Sequence, residues 1–234
     1  MTNKKLAAVT GGNRGIGFQI CRDLAKEGFA VILTARSAEK GLEAAEKLKD
    51  EGLDLKFHQL DIINSDSIEK FHQYITDDFG KLDVLINNAA ILPEPKSNAL
   101  SAELREIRDT IETNVYGAIV LCQKIIPLMI KNNYGRIVNL SSGVAQLKDM
   151  GGGYFAYRVS KTALNAVTKI FAAETSGYDI QVNCVDPGWV KTDMGGSGAG
   201  STPEEGADTA VWLSSRPEGE PSGKFYKDRK IIDW

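Results

Sequence analysis

The chain has 234 residues, 42% of them hydrophobic and 25% charged, with a formal net charge of −3. That is ordinary globular composition, and the slight acidity provides neither a basic footprint for nucleic acid nor a polybasic patch for an anionic membrane. One core without a linker, built for small-molecule chemistry, is the expectation.

The opening Met-Thr-Asn-Lys-Lys-Leu-Ala-Ala-Val-Thr has too brief an apolar run for a signal peptide, and Lys, Gln or Pro interrupts every later apolar stretch before membrane-spanning length. A soluble, cytoplasmic protein is expected. Strand-length apolar runs then alternate with segments of helical period. Strand Leu6 to Thr10 leads to helix Gly15 to Glu27, strand Ala30 to Ala35 to helix Ala38 to Glu51, and strand Leu55 to Leu60 to helix Ser65 to Phe79. Strand Val84 to Asn87 precedes a long helix at about Ala102 to Lys131, strand Arg136 to Ser141 precedes a helix at about Tyr154 to Thr175, and Ile180 to Val185 is a last strand. There is no internal repeat. The alternation predicts an α/β, single-domain Rossmann fold over 1–234, a doubly wound parallel sheet with helices on both faces. Such sheets bind ligands beyond the carboxyl ends of their strands. Those ends carry the glycine turn, Arg36, Asp61, Asn87 with Asn88, Ser142, and Pro187-Gly188.

Gly11, Gly15 and Gly17 lie in Thr10-Gly-Gly-Asn-Arg-Gly-Ile-Gly17, between a strand and a helix, where missing side chains permit a tight turn and close approach of a pyrophosphate. The helix N-terminus adds donors and partial positive charge. At the end of the second strand an NAD enzyme usually offers Asp or Glu to the ribose, but here the chain reads Leu33-Thr-Ala-Arg-Ser-Ala-Glu-Lys40. Arg36, with Arg14 as companion, suits a 2′-phosphate through paired charge-assisted hydrogen bonds. NADP(H) is the predicted cofactor. The alternative is that Arg36 and Lys40 simply face solvent beside a helix capped by Ser37.

Tyr157 and Lys161 are four apart on a helix and so share a face. A tyrosine of ordinary pKa about 10 needs a shift of roughly three units, about 4 kcal/mol, to work near neutrality. The Lys161 ammonium is expected to supply it by favouring tyrosinate. Tyr157 then protonates the alkoxide formed when a carbonyl is reduced, or accepts the proton in reverse. Ser142, ending Ile-Val-Asn-Leu-Ser-Ser, can hydrogen-bond the substrate oxygen, and Asn114, in Thr-Asn-Val-Tyr, can fix a helix carbonyl or a water near Lys161. Each also has a structural reading, as a turn serine and a surface asparagine. Tyr154 and Arg158 repeat the spacing but face another direction. Gly195-Gly-Ser-Gly-Ala lacks the last glycine of a nucleophile elbow, and the stretch to Gly200 reads as a flap over the substrate or a surface loop. Cys21, Cys122 and Cys184 suit reduced core thiols, and His58 and His72 lack partners at ligand spacing, so no metal is expected.

Thr10 to Gly17, Asn87-Asn-Ala-Ala90, Asn114, Ser142, Tyr157 with Lys161, and Pro187-Gly188 followed by Val190 and Thr192 together resemble the short-chain dehydrogenase/reductase family across almost the whole chain. The resemblance implies a tetrad of Asn114, Ser142, Tyr157 and Lys161, with Lys161 also on the nicotinamide ribose, Asp61 near adenine, and Val190 and Thr192 at the carboxamide. The expected cofactor contacts are Gly11, Asn13, Arg14, Gly15, Ile16, Gly17, Arg36, Lys40, Asp61, Ile62, Asn88, Ala89, Tyr157, Lys161, Pro187, Gly188, Val190 and Thr192.

Within that family, Phe57-His-Gln-Leu-Asp-Ile62, Pro187-Gly-Trp-Val-Lys-Thr-Asp-Met194, Pro203-Glu-Glu-Gly-Ala207 and Trp234 resemble the NADPH-dependent carbonyl reductases, which implies reduction of an aldehyde, ketone or quinone. Two other readings stand beside it: an NADP-dependent secondary-alcohol dehydrogenase, and a non-catalytic NADP-sensing module, against which the presence of both Tyr157 and Lys161 argues. Relatives in animals and plants carry a long insertion between the serine and the tyrosine, which here are only 15 positions apart. Since that insertion covers a helix face used for pairing, a homodimer or homotetramer through the helices at about Ala102 to Lys131 and Tyr154 to Thr175 is expected. The substrate pocket is assigned to loops near Ala90 to Ala99, Val144 to Tyr154 and Met194 to Thr202, with a substrate-loop region at about 190–215.

Overall fold

The computed structural model describes residues 4–93 and 97–234, so part of the Ala90 to Ala99 loop lies outside the described residues. Six strands are mutually parallel: β1 (Leu6–Val9), β2 (Ala30–Ala35), β3 (Lys56–Gln59), β4 (Val84–Asn87), β5 (Gly135–Leu140) and β6 (Ile180–Val185). Two strands absent from the sequence reading, parallel β7 (Phe225–Lys227) and antiparallel β8 (Lys230–Ile232), complete one sheet ordered β3-β2-β1-β4-β5-β6-β7-β8. Strand order reverses between β1 and β4, which opens a crevice at their carboxyl ends.

The helices are α1 (Gly15–Lys26), α2 (Ala38–Asp50), α3 (Ser65–Asp78), α4 (Leu104–Ile111), α5 (Gly117–Asn132), α6 (Phe155–Glu174) and α7 (Pro203–Ser214). They cover both faces, which is why β1, β4, β5 and β6 are buried along their whole length. One apolar layer joins Ile20 and Leu24 of α1, Leu48 of α2 and Val211 of α7 to Val9, Leu33 and Val185. The other joins Phe71 of α3 and Ile125 of α5 to Ile32, Leu85 and Val182. All three cysteines are buried and free.

Three expectations are corrected. The helix expected at Ala102 to Lys131 is two α-helices joined by a π-helical turn, Glu112–Tyr116, whose extra residue rotates one face against the next. That continuous run, Leu104–Asn132, is long and apolar enough to cross a membrane by length and composition, contrary to the reading of interrupted stretches; half of its apolar window is buried inside the protein, as a core helix requires. The 190–215 region is not loop throughout. Thr202 accepts from Glu205 N while the Glu205 side chain accepts from Thr202 N, and Pro203 opens the first turn, so a capping box starts α7.

Candidate active site

A cleft of about 750 Å³ runs along the carboxyl ends of the strands, from Gly11, Arg14 and Arg36 at one end to Tyr157 and Lys161 at the other. Gly11 and Gly15 have left-handed φ of 63° and 57°, which explains glycine at both. Gly17 lies beneath the surface of the cleft, where a Cβ would come 2.4 Å from Asn88 Nδ2 and 2.5 Å from Gly11 O. The same Nδ2 donates to Thr10 O at 2.8 Å and Gly11 O at 3.2 Å, while Thr10 Oγ1 accepts from Asn88 N and Ala89 N. The end of β4 therefore holds the glycine turn rigid. α2, α3 and α7 are each capped by a side chain, Ser37, Asn64 and Thr202, but α1 is not. Its first N–H groups, left without a side-chain cap, suit phosphate oxygens, and the three glycines leave room for them.

Arg36 and Lys40 line the cleft and are exposed, with Ser37 Oγ accepting from Lys40 N. Arg14 also lines the cleft, and its Nη1 lies 2.7 Å from Asp193 Oδ2, an ion pair across the cleft mouth. Asn13, Ile16, Asp61, Ile62, Asn88, Ala89, Pro187 and Thr192 also line the cleft, whereas Gly188 and Val190 do not. Val190 is buried, and its side chain packs so close to Gly206 that a Cβ there would lie 2.7 Å away.

At the other end, Ser142 lies beside Tyr157, and its Oγ accepts from Val144 N at 3.4 Å. Tyr157 is half-buried and lines the cleft; burial first, and then the charge of Asp186, push the phenol up to about 12 against the lowering effect of Ser142. Lys161 is 3% exposed, and burial drives its ammonium down to about 8. Its Nζ donates to Leu140 O at 2.7 Å and lies 5.6 Å from the centre of the Tyr157 ring. The expectation that Lys161 brings Tyr157 toward neutrality is thus not met by this geometry, because desolvation outweighs it and the ammonium points to a carbonyl.

The π-helical turn aims Asn114 inward, at 2% exposure rather than on the surface. Its Oδ1 accepts from Ile91 N and its Nδ2 donates to Ile91 O and Ser160 Oγ, clamping the segment after β4 to α6. Arg158 turns away to Gly153 O and Val144 O. Sequence reading missed the polar chain that seats α6 on the sheet: Asn87 to Asn139, Asn139 to Thr168, and Ser141 to Asn165, each between 2.6 and 2.8 Å. Polar residues inside apolar strands were its only signal.

A sequence profile described as short chain dehydrogenase matches residues 5–199. Carbonyl reductase [NADPH] 1 of Sus scrofa is 36% identical over 284 positions, covering 100% of this chain and 95% of that protein, so the relative carries segments absent from these 234 residues. (+)-Neomenthol dehydrogenase of Arabidopsis thaliana is 33% identical, with 98% of each chain covered. Among solved structures, carbonyl reductase Sniffer of D. melanogaster superposes with a TM-score of 0.88 at 29% identity, covering 99% of both chains.

Proposed function

Since the chain belongs to the short-chain dehydrogenase family, oxidoreductases of C=O and CH–OH groups, we propose that it is an NADPH-dependent reductase of aldehydes, ketones or quinones with Tyr157 as the acid. The observation that carries this is one cleft lined by Tyr157 and Lys161 at one end and by the glycine cradle at the other. NADPH, when bound, supplies the hydride for the carbonyl carbon. The Tyr157 hydroxyl gives its proton to the oxygen, and the phenolate left behind sits beside Lys161, whose positive charge offsets it. Ser142 holds the same oxygen in place, and Asn114 braces the wall of the site.

In this reading Gly11, Asn13, Gly15, Ile16 and Gly17 admit the pyrophosphate over the uncapped turn of α1, and Arg36, Lys40 and Arg14 take the 2′-phosphate. Asp61 and Ile62 flank adenine, Asn88 and Ala89 wall the ribose side, Lys161 bonds the nicotinamide ribose, and Pro187 and Thr192 form the nicotinamide end, with Gly188 and Val190 shaping it from behind. The whole chain acts as one dinucleotide-binding and catalytic domain, with 190–202 as its substrate loop. The Arabidopsis relative, named a dehydrogenase, raises the reverse reaction, which uses the same site with Tyr157 accepting the proton; cofactor ratio and the substrate's equilibrium set the direction.

The test is NADPH oxidation across a panel of carbonyl compounds, where Tyr157→Phe should lose roughly 10²- to 10⁴-fold in kcat/KM. Absence of turnover on any compound would turn the reading to a nucleotide-sensing module. We further propose a homodimer or homotetramer through the helices at 102–131 and 154–175, on which Leu104, Tyr116, Val159 and Ile170 are exposed. Light scattering at the monomer mass would reject it. A cytoplasmic location belongs to the same reading, and the expectation of no membrane or nucleic-acid partner rests on the net charge of −3.

A further inference from the structure

Asp186 has no part in the function proposed above, yet it is a carboxylate at 6% exposure immediately after β6. β6 and β7 pair Val185 with Tyr226, and the ladder continues through a bond from Asp186 N to Tyr226 O at 2.8 Å. That register brings Lys227 alongside, its Nζ 3.1 Å from Asp186 Oδ2. Asp186 Oδ1 accepts from Gly188 N at 3.0 Å and so braces the turn in which Gly188 takes a left-handed φ of 77°. On its other side the carboxylate closes on the turn after β5, where a Cβ on Gly143 would lie 2.7 Å from Oδ2. A nearly buried carboxylate is costly unless it is paired and hydrogen-bonded, and this one is both.

Resting on Tyr157 as the acid, we infer that Asp186, clamped by Lys227, is a positioning residue of the reaction: it braces the turn carrying Gly188, packs against the turn that follows Ser142, and sets the field at Tyr157. The groups facing Tyr157 are Lys161 from its own helix, Ser142 from the end of β5 and Asp186 from the end of β6. Lys227 of β7 acts through Asp186, and Cys184 of β6 faces Lys161. The charge of Asp186 favours the protonated phenol. With Tyr157 setting the alkaline limb of the rate, loss of the carboxylate charge lowers that limb and loss of the Lys227 charge raises it.

The experiment is the pH profile of kcat/KM for NADPH-dependent carbonyl reduction by the wild type, Asp186→Asn and Lys227→Gln. Asparagine keeps an oxygen for Gly188 N–H and removes only the charge, while Lys227 is nearly half-exposed and can be replaced without disturbing the core. The alkaline limb should fall by about half a pH unit or more in Asp186→Asn and rise by a similar amount in Lys227→Gln. Limbs that coincide in all three proteins, or that move the same way in both variants, overturn the inference. Tyr157→Phe, assayed alongside, separates the two levels. Undiminished turnover there removes Tyr157 as the acid and the role of Asp186 with it, whereas lost turnover with coincident limbs sinks the role of Asp186 alone.

Discussion

The two ends of the cleft hold their charges under opposite conditions. At the nucleotide end Arg14 is 70% exposed in its pair with Asp193, and Arg36 and Lys40 stand in solvent; at the proton end Lys161 is 3% exposed with a carbonyl as its hydrogen-bond acceptor. Exposed cations keep their hydration and cost the fold little, and their interactions are screened by water and salt. A buried ammonium interacts strongly with whatever reacts beside it, but the fold bears its desolvation. In the proposed function the exposed end would thus select its nucleotide at small structural cost, whereas the buried end stores unfavourable energy where the chemistry is proposed.

Lys161→Met tests that contrast most sharply. It should lower kcat/KM by about 10²-fold or more. It should also make the protein more stable. The folded pKa of about 8 lies below the ordinary 10.5, so the unfolded chain holds this proton more tightly, and below pH 8 the burial penalty, on the order of 3 kcal/mol, is present in full. The penalty fades as pH rises from about 8 to 10.5, so the gain in melting temperature should shrink over that window. A variant no more stable than the wild type at pH 7 would show that the charge is not confined as described.

Gly17→Ala should come next in size. Its methyl displaces the Asn88 amide and with it the bonds to Thr10 O and Gly11 O, at a cost of about 1–3 kcal/mol. NADPH affinity measured by fluorescence titration should fall by roughly tenfold or more, with any remaining bound complex turning over normally. Arg36→Asp is the mildest. It should cut the preference for NADPH over NADH by about tenfold without altering melting temperature, since the side chain is exposed. Unchanged selectivity in titrations of both nucleotides would leave Arg36 as a solvated surface residue.

Much of this site was legible from local pattern. Gly11 and Gly15 follow a strand and open a helix, Tyr157 and Lys161 share one helical face, and Arg36 stands where an acid would mark a different cofactor, all of which depend on neighbours within a few residues. α7 was missed because its buried face is made of small residues such as Ala207, Thr209 and Ala210, which give weak apolar periodicity, although Thr202-Pro-Glu-Glu205 carried a legible capping box. β7 and β8 have three residues each, too short for any alternation to register.

Residue order was enough to establish which elements form, the parallel winding and the chemical types gathered at the strand ends, because period and turn chemistry are encoded over short spans. Long-range packing set the rest: the inward turn of Asn114 through a π-helical segment, the pairing of Arg14 with Asp193, the seat of Asp186 beside Lys227, and the direction in which Tyr157 and Lys161 are shifted. Each depends on atoms brought together from distant positions, and on how far those contacts exclude water, which spacing along the chain does not encode.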